Sequence, residues 1–312
     1  MTGTLAASSL PLPLLRRGKV REVYEVDDGR LLLVASDRVS AFDVVMREAV
    51  PSKGAVLTQL SSFWFPRFEG LVAHHCLTAD AGTIVTAVPA LAPYHSQLAG
   101  RAMLCRRTTP VAFECVVRGY LAGSAWAEYR KTGTLAGEPM PKGLVESSRL
   151  DAPLFSPATK AETGHDENIS FEQMSGIVGA GRAAELRDLT LELYRRARAH
   201  AEKCGILLAD TKLEFGTSEG RVVWIDEAFT PDSSRFWPRD GYQAGRAQPS
   251  FDKQYVRDYL ETLDWDKRPP GPPLPEDVVT RTREKYLEAY ARLTGTSLTA
   301  RGESSHARGE ER

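Results

Sequence analysis

The sequence has almost no net charge: 40 Lys and Arg against 41 Asp and Glu leave −1 at pH 7. No whole-molecule field therefore draws the chain to nucleic acid or anionic lipid, and any anion site must be local. Cysteine is scarce and scattered. Cys76, Cys105, Cys115 and Cys204 form no C-x-x-C pair and no metal-ligand spacing with histidine, which excludes a zinc module and fits reduced thiols in a cytoplasmic protein. Long apolar runs are missing as well. Met1 to Leu15 is interrupted by Pro11 and Pro13 and lacks a basic start, so it is read as neither signal peptide nor membrane span. Neither Gly-x-x-x-x-Gly-Lys-Ser/Thr nor Gly-x-Gly-x-x-Gly occurs where a phosphate loop would need it, and no internal repeat is apparent. What is present is a chain of 312 residues with 42% hydrophobic content, enough for a globular protein with a sizeable core and two domains or one large one.

The most informative stretch is Leu207 to Gly216 followed by Arg221 to Phe229. Two runs rich in β-branched and aromatic residues flank Thr217-Ser218-Glu219-Gly220 and predict a hairpin. A three-residue loop, Ser218 to Gly220, sets Lys212 opposite Asp226 with Glu214 diagonal on the same face, a cluster suited to Mg²⁺ bridging nucleotide phosphates. A four-residue loop turns Asp226 to the other face. An exposed, charged hairpin is the plainer alternative.

Upstream, Arg16 to Val26 alternates, turns at Asp27-Asp28-Gly29 and continues as Leu31 to Ala35, a strand, turn and strand with Gly18-Lys19 at the mouth. Gly-Lys there can bring amides and an ammonium to a phosphate, but the pair alone is a weak signal. Ser36 to Asp43 crowds two aspartates, two hydroxyls and an arginine at a strand end, either a site or a polar turn. Thr58 to Phe65 predicts a helix stopped by Pro66. Gly82 to Val88 and Arg101 to Arg107 are expected as strands. Pro110 to Ser124 begins as an apolar strand and ends in glycine-punctuated polar residues; it can offer backbone to a purine edge, with Arg118 and Ser124 beyond it for an anion, or simply link two halves. Ala125 to Lys131 is expected to be helical, ended by Thr132-Gly133. Asp151 to Ser170 is a long polar loop of the kind that is functional or disordered. A metal at His165-Asp166-Glu167 is disfavoured because no second histidine follows at helical spacing. Ser170 with Gln173 marks a capping box. Arg182 to Cys204 is the strongest helix, with Ala184, Leu186, Leu189, Leu193, Ala197 and Ala201 on the expected buried side and Gly205 as its cap. Thr230 to Pro238 adds hydroxyls, Asp232 and Arg235, which suit a second anion. A helix over Phe251 to Leu263, a stiff Pro-rich linker at Arg268 to Pro273, a helix from Pro275 to Leu293 and a polar tail complete the chain.

Four stretches together carry a family resemblance: Gly18 to Glu22, Ser36 to Asp43, Phe113 to Arg118 continuing through Gly123-Ser124, and Asp210 to Gly216 with Asp226 to Arg235. Over roughly Gly18 to Leu263 the chain resembles the SAICAR synthetases, the phosphoribosylaminoimidazole-succinocarboxamide synthases of purine biosynthesis. The resemblance implies an α+β, two-lobed fold: a β-rich N-terminal lobe reminiscent of the protein-kinase ATP-binding lobe and a mixed α/β C-terminal lobe. The expected divisions are a flexible leader (1–15), the nucleotide-binding lobe (16–116), the substrate and metal lobe (117–268), linker and C-terminal helix (269–293) and tail (294–312).

The implied activity is that of an ATP-dependent carbon–nitrogen ligase. It joins L-aspartate to carboxyaminoimidazole ribotide through an acyl phosphate, giving SAICAR, ADP and phosphate. By the resemblance, Gly18, Lys19, Val20, Arg21, Glu114, Val116 and Lys212 meet ATP, and Glu214 and Asp226 hold Mg²⁺, making Lys212, Glu214 and Asp226 the catalytic set. Ser36, Asp37, Arg118, Ser124 and Arg235 meet the ribotide, and Lys160, His165 and Asp166 meet aspartate. Asp37 and Asp166 are both open as acceptors of the amine proton. One departure stands out: the family pattern has one more residue between Lys160 and the His-Asp pair than Thr163-Gly164 supplies. The expected partners are small molecules only, with no nucleic acid or membrane, and the expected state is a cytoplasmic monomer. A kinase that merely phosphorylates its acceptor and a catalytically dead nucleotide-binding module are the competing functions.

Overall fold

The computed structural model describes residues 3–160 and 168–298. Leu14–Arg17, Arg21–Asp27 and Arg30–Ala35 form an antiparallel meander whose second turn is closed by Asp27 accepting from the Gly29 amide. Ala102–Arg106 and Cys76–Thr78 extend it to a five-stranded sheet. Leu31 to Ala35 is continuously apolar because both faces are covered. Leu32 and Val34 pack on Ile84, Leu91 and Leu98, while Leu33 joins Val56, Leu57 and Leu60 of the helix Lys53–Trp64. A strand covered on both sides has no face left for polar alternation.

Gly82 to Val88, expected as a strand, lies in the helix Ala81–Ala87. Asp80 caps it by accepting from the Thr83 amide, and Ala81, Ile84 and Val88 are its buried positions, a helical spacing that overrides the β-branched composition. The leader is held at two points. The Leu5 amide donates to Asp37 at 2.8 Å, and buried Ser8 donates its amide to Glu22 at 2.8 Å.

The second sheet has seven strands. Thr109–Tyr120 and Ile206–Ser218 are its longest members and pair antiparallel, Arg149–Phe155 and Ala158–Thr159 lie on the far edge of the former, and Arg221–Ile225 and Ser234–Pro238 pair with the latter. Ala73–His74 adds a short parallel pairing with Arg221–Ile225. The chain thus passes from this sheet into the first within Ala73 to Thr78, which seats the two sheets side by side.

The helix Ala180–Lys203 lies against Ile206–Ser218. Its buried side is Ala183, Leu186, Thr190, Leu193, Tyr194, Ala197 and Ala201, so the stripe passes through Ala183 and Thr190 in place of the expected Ala184 and Leu189. Each buried leucine contributes roughly 1.5–3 kcal/mol relative to exposure. Tyr194 repays its buried hydroxyl by donating to the Leu208 carbonyl at 2.6 Å. The capping box at Ser170 is formed with Gln173. The C-terminal helix Glu276–Thr294 packs against Lys53–Trp64 and Gln254–Glu261. No helix among the described residues is long and apolar enough to cross a membrane.

Candidate active site

The hairpin closes on two residues. Ser218 pairs with Arg221, and Glu219 (φ 51°) and Gly220 (φ 75°) are both left-handed, the conformation that matches strand twist in a two-residue turn. Glu214 therefore pairs with Ile225, and the ladder would put Asp226 opposite Leu213, on the other face from Lys212. The expected three-residue loop is overturned, yet Asp226 reaches the site. The strand ends at Ile225 and Asp226 itself is left-handed at φ 66°, so the pleat no longer dictates its direction. Its carboxylate meets Arg21 at 2.9 Å.

Thr109–Tyr120 sits between strands on both edges. Its contribution to the site is accordingly a side chain, Glu114, and its backbone groups go into pairing with the neighbours. Glu114 is directly opposite Glu214, an arrangement that repels unless cations intervene. They do: Lys212 donates to Glu114 at 2.5 Å and lies 4.0 Å from Glu214, whose other oxygen accepts from Lys160. Arg21 completes the row, bonding Asp226 and, at 2.6 Å, Glu227.

The electrostatics follow from this crowding. Burial works against charge on Lys212, but Glu114 and Glu214 more than offset it and hold the ammonium above its usual range. Burial likewise opposes charge on Glu214, and Lys212 and Lys160 overcome it to keep the carboxyl below its ordinary value. Asp226 goes the other way: burial, with Glu214 and Glu227 nearby, pushes it up to about 7 against the pull of Arg21. Glu114, Glu214, Asp226 and Glu227 thus share Lys160, Lys212 and Arg21, four carboxylates with three cations. Glu214 and Asp226 line the same cavity, and two carboxylates there are oxygen donors of the kind a hard divalent ion takes.

A second cluster lies alongside. Asp210 is the register partner of both Arg118 and Arg235 on the two neighbouring strands. Arg235 donates to Asp210, and Arg118 lies 3.7 Å from it while donating to Ser156 at 2.8 Å and Ser124 at 3.3 Å. Two guanidinium groups on one carboxylate leave a positive charge for an anion. Gly123, at φ 56° and ψ −130°, makes room for it: a Cβ there would sit 2.2 Å from the Arg235 Nη2.

Both clusters border an open cavity of about 980 Å³, whose walls include Gly18 to Arg21, Glu114, Gly123, Lys160, Lys212, Glu214, Asp226 and Arg235. The structure brings these expected residues together. Val116 stays in the strand beside Lys212 without lining the cavity, and Arg118 and Ser124 stand behind Arg235. Ser36 and Asp37 are placed elsewhere. Ser36 donates to the Val20 carbonyl, and fully buried Asp37 accepts from the Leu5 and Gly54 amides and pairs with Arg101 at 3.0 Å. They brace the back of the Gly18–Arg21 loop, and Asp37 has no face toward the cavity from which to take a proton. His165 and Asp166 lie outside the described residues. Asp232, in the polar Thr230–Pro238 stretch, borders the cavity, as do Glu227, Lys253 and Arg257, and Asp210 holds the arginine pair; the last four are not site candidates in the sequence reading. Asp210 stood inside a family stretch, but Lys253 and Arg257 carry no local signal beyond charge on a helix and reach the cavity through the packing of Gln254–Glu261.

Comparison with known proteins identifies the family. The SAICAR synthetase family profile matches residues 14–272. The phosphoribosylaminoimidazole-succinocarboxamide synthase of Syntrophotalea carbinolica is 56% identical over 286 residues, covering 91% of this chain and 95% of that protein. Its counterpart from Geobacter sulfurreducens is 53% identical over 286 residues, with the same coverage of 91% and 95%. Among solved structures, the SAICAR synthase of Saccharomyces cerevisiae complexed with SAICAR superposes with a TM-score of 0.87 at 43% identity, covering 95% of this chain and 100% of that one. The chain belongs to the SAICAR synthetase family.

Proposed function

We infer that the protein is an ATP-dependent ligase that condenses L-aspartate with 5-amino-1-(5-phosphoribosyl)imidazole-4-carboxylate, giving SAICAR, ADP and phosphate in purine biosynthesis. Family membership over most of the chain supports the reaction class. The observation that carries the site assignment is that the Lys160–Glu214–Lys212–Glu114 row and Arg235, paired with Asp210, line one cavity.

A carboxylate is a poor acyl donor, so the ribotide carboxylate oxygen first attacks the γ-phosphorus of ATP. ADP leaves and an acyl phosphate forms. The aspartate amine then attacks its carbonyl carbon, phosphate departs with the C–O bonding pair, and the amine loses its proton as the amide forms. No side-chain nucleophile is needed; positioning and charge neutralisation carry most of the acceleration. Lys212 supplies a permanent ammonium beside the transferring group. Lys19 and the Gly18–Arg21 loop cover the nucleotide phosphates, while Arg235, backed by Arg118 and Ser124, orients the ribotide through its anionic groups. Glu214 and Asp226 are the residues that would hold Mg²⁺, which when bound neutralises phosphate charge. Lys160 meets aspartate, and exclusion of water from the site protects the acyl phosphate from hydrolysis.

The same reading makes the protein a cytoplasmic monomer acting on small molecules, a state that sedimentation velocity would test. The decisive assay follows ADP release with ATP, ribotide and aspartate, each omitted in turn. Release must require all three. ADP formed at full rate without aspartate would identify a kinase and overturn the ligase assignment.

A further inference from the structure

The C-terminal helix Glu276–Thr294 lies beyond the stretch matched by the family profile, which ends at residue 272. Its Tyr286 is fully buried, and the hydroxyl donates to Asp232 Oδ1 at 2.6 Å. The other oxygen of the same carboxylate accepts from the ammonium of Lys53 at 2.6 Å, and Lys53 is also fully buried, in the first turn of Lys53–Trp64. Asp232 is not a remote anchor. It borders the cavity, and it sits in the turn that connects the two halves of the site. In that turn the Asp232 amide donates to the Thr230 hydroxyl, the Ser233 carbonyl accepts from the Lys212 amide at 2.8 Å, and Arg235 follows directly on the strand Ser234–Pro238.

We propose that Tyr286 is a positioning residue. By fixing one oxygen of Asp232 while Lys53 fixes the other, it sets the Thr230–Ser234 turn and thereby aims Arg235. The C-terminal helix is then a working part of the ribotide-binding wall as well as packing for Lys53–Trp64. The physical argument is one of saturation. A buried carboxylate held by one donor can swing about its last bond; held through both oxygens by groups on two different helices, it cannot. Burial raises the Tyr286 hydroxyl well above its ordinary range, and Asp232 raises it further, so it stays a proton donor to the carboxylate at every working pH. No residue of the helix lines the cavity, so its influence passes through that carboxylate.

This inference rests on the ribotide site proposed above, and Tyr286→Phe tests it because only the hydroxyl is removed. Losing a hydrogen bond to a charged group is worth about 1.5–3 kcal/mol, of which the part felt at Arg235 should appear as roughly a tenfold weaker ribotide Kd. The ATP Kd should change less than about twofold, since the Lys212 ammonium is held by Glu114 and Glu214 on the paired strands and does not depend on the turn for its direction. Titration calorimetry separates positioning from misfolding, because lost fold lowers the stoichiometry while lost positioning weakens the Kd at full stoichiometry. Asp232→Asn provides the second arm: in that background Tyr286→Phe should add little further weakening of ribotide binding. Equal loss of ATP and ribotide affinity, an unchanged ribotide Kd, or full additivity of the two substitutions would overturn the proposal. Failure of the wild-type protein to bind the ribotide at all would instead remove the underlying site assignment.

Discussion

Substituting Gly123 by alanine should separate affinity from stability. The glycine holds φ 56° and ψ −130°, immediately before the helix Ser124–Thr132. An L-residue there strains the backbone by about 1–3 kcal/mol, a term that belongs to folding. The added Cβ would lie 2.2 Å from Nη2 and 2.8 Å from Cζ of Arg235. Because the clashing atoms are the end of a long, flexible side chain, the guanidinium can swing away at little steric cost. It then leaves Asp210 and the ribotide, and a charge-assisted contact worth about 1.5–3 kcal/mol is forfeited. That corresponds to roughly a 10- to 150-fold weaker ribotide Kd.

Urea denaturation read beside calorimetric titration of ribotide and of ATP distinguishes the two effects. We expect a stability loss within the strain range, a ribotide Kd weakened by at least about tenfold, and an ATP Kd within about twofold of wild type. A ribotide Kd left unchanged in the alanine variant would refute the placement of Arg235 at the substrate. A parallel loss for both ligands would show that the strain, and not the displaced guanidinium, dominates.

Removing either carboxylate proposed to hold the metal, Glu214→Ala or Asp226→Ala, should lower turnover at least about a hundredfold, the size expected for loss of one electrostatic stabiliser; near-normal turnover at saturating Mg²⁺ would withdraw the assignment. Arg235→Ala should raise the ribotide KM well above any change in the ATP KM, and steady-state kinetics with each substrate varied will show whether it does. Ser8→Ala probes the leader through Glu22. Burial pushes the Glu22 carboxyl up, but the Ser8 hydroxyl and amide and Arg38 bring it below its ordinary value of 4.5. A depressed folded value means that the unfolded chain takes the proton first as pH falls. The stabilisation is therefore complete above about 4.5 and lost below it. Urea midpoints of wild type should accordingly fall between pH 6 and pH 4, and Ser8→Ala should lose about 1–2 kcal/mol at pH 6 with a shallower acid slope. Identical slopes in both proteins would argue that Ser8 does not tune Glu22.

Much of this architecture was legible because the signals were local. The meander from Arg16 to Ala35, the capping box at Ser170 and the helix ended by Gly205 each depend on residues within one or two turns of one another. Gly82 to Val88 is helical in place of the expected strand because the capping Asp80 and the spacing of Ala81, Ile84 and Val88 outweigh its β-branched content. Site residues were legible where the family stretches contained them and where a strand carried them to the cavity, as with Glu114, Lys212 and Glu214. Ser36 and Asp37 stood in such a stretch and still fell outside, because the same polar inventory that could meet a ribotide is what a buried loop needs to satisfy its own amides. Asp37 spends its oxygens on Leu5, Gly54 and Arg101, partners 32, 17 and 64 positions away that no window over the loop contains.

Asp226 shows why register parity is a poor guide to which residues face the cavity. Counting residues around the turn decides which face a side chain takes only while the ladder persists, and the ladder stops at Ile225. From there the left-handed Asp226 turns the chain, and the buried Arg21 of the neighbouring sheet draws both Asp226 and Glu227 to itself. The carboxylate comes to the cavity because a strand from the other sheet delivers a cation there. Sequence order separates Arg21 from Asp226 by most of the chain, so the charge that places this carboxylate is visible only once the two sheets are set side by side. An Arg21→Met variant should on this reasoning leave the hairpin paired while misplacing Asp226. Its hairpin amides should keep their protection from hydrogen exchange as turnover falls, whereas loss of that protection would show that Arg21 holds the hairpin itself.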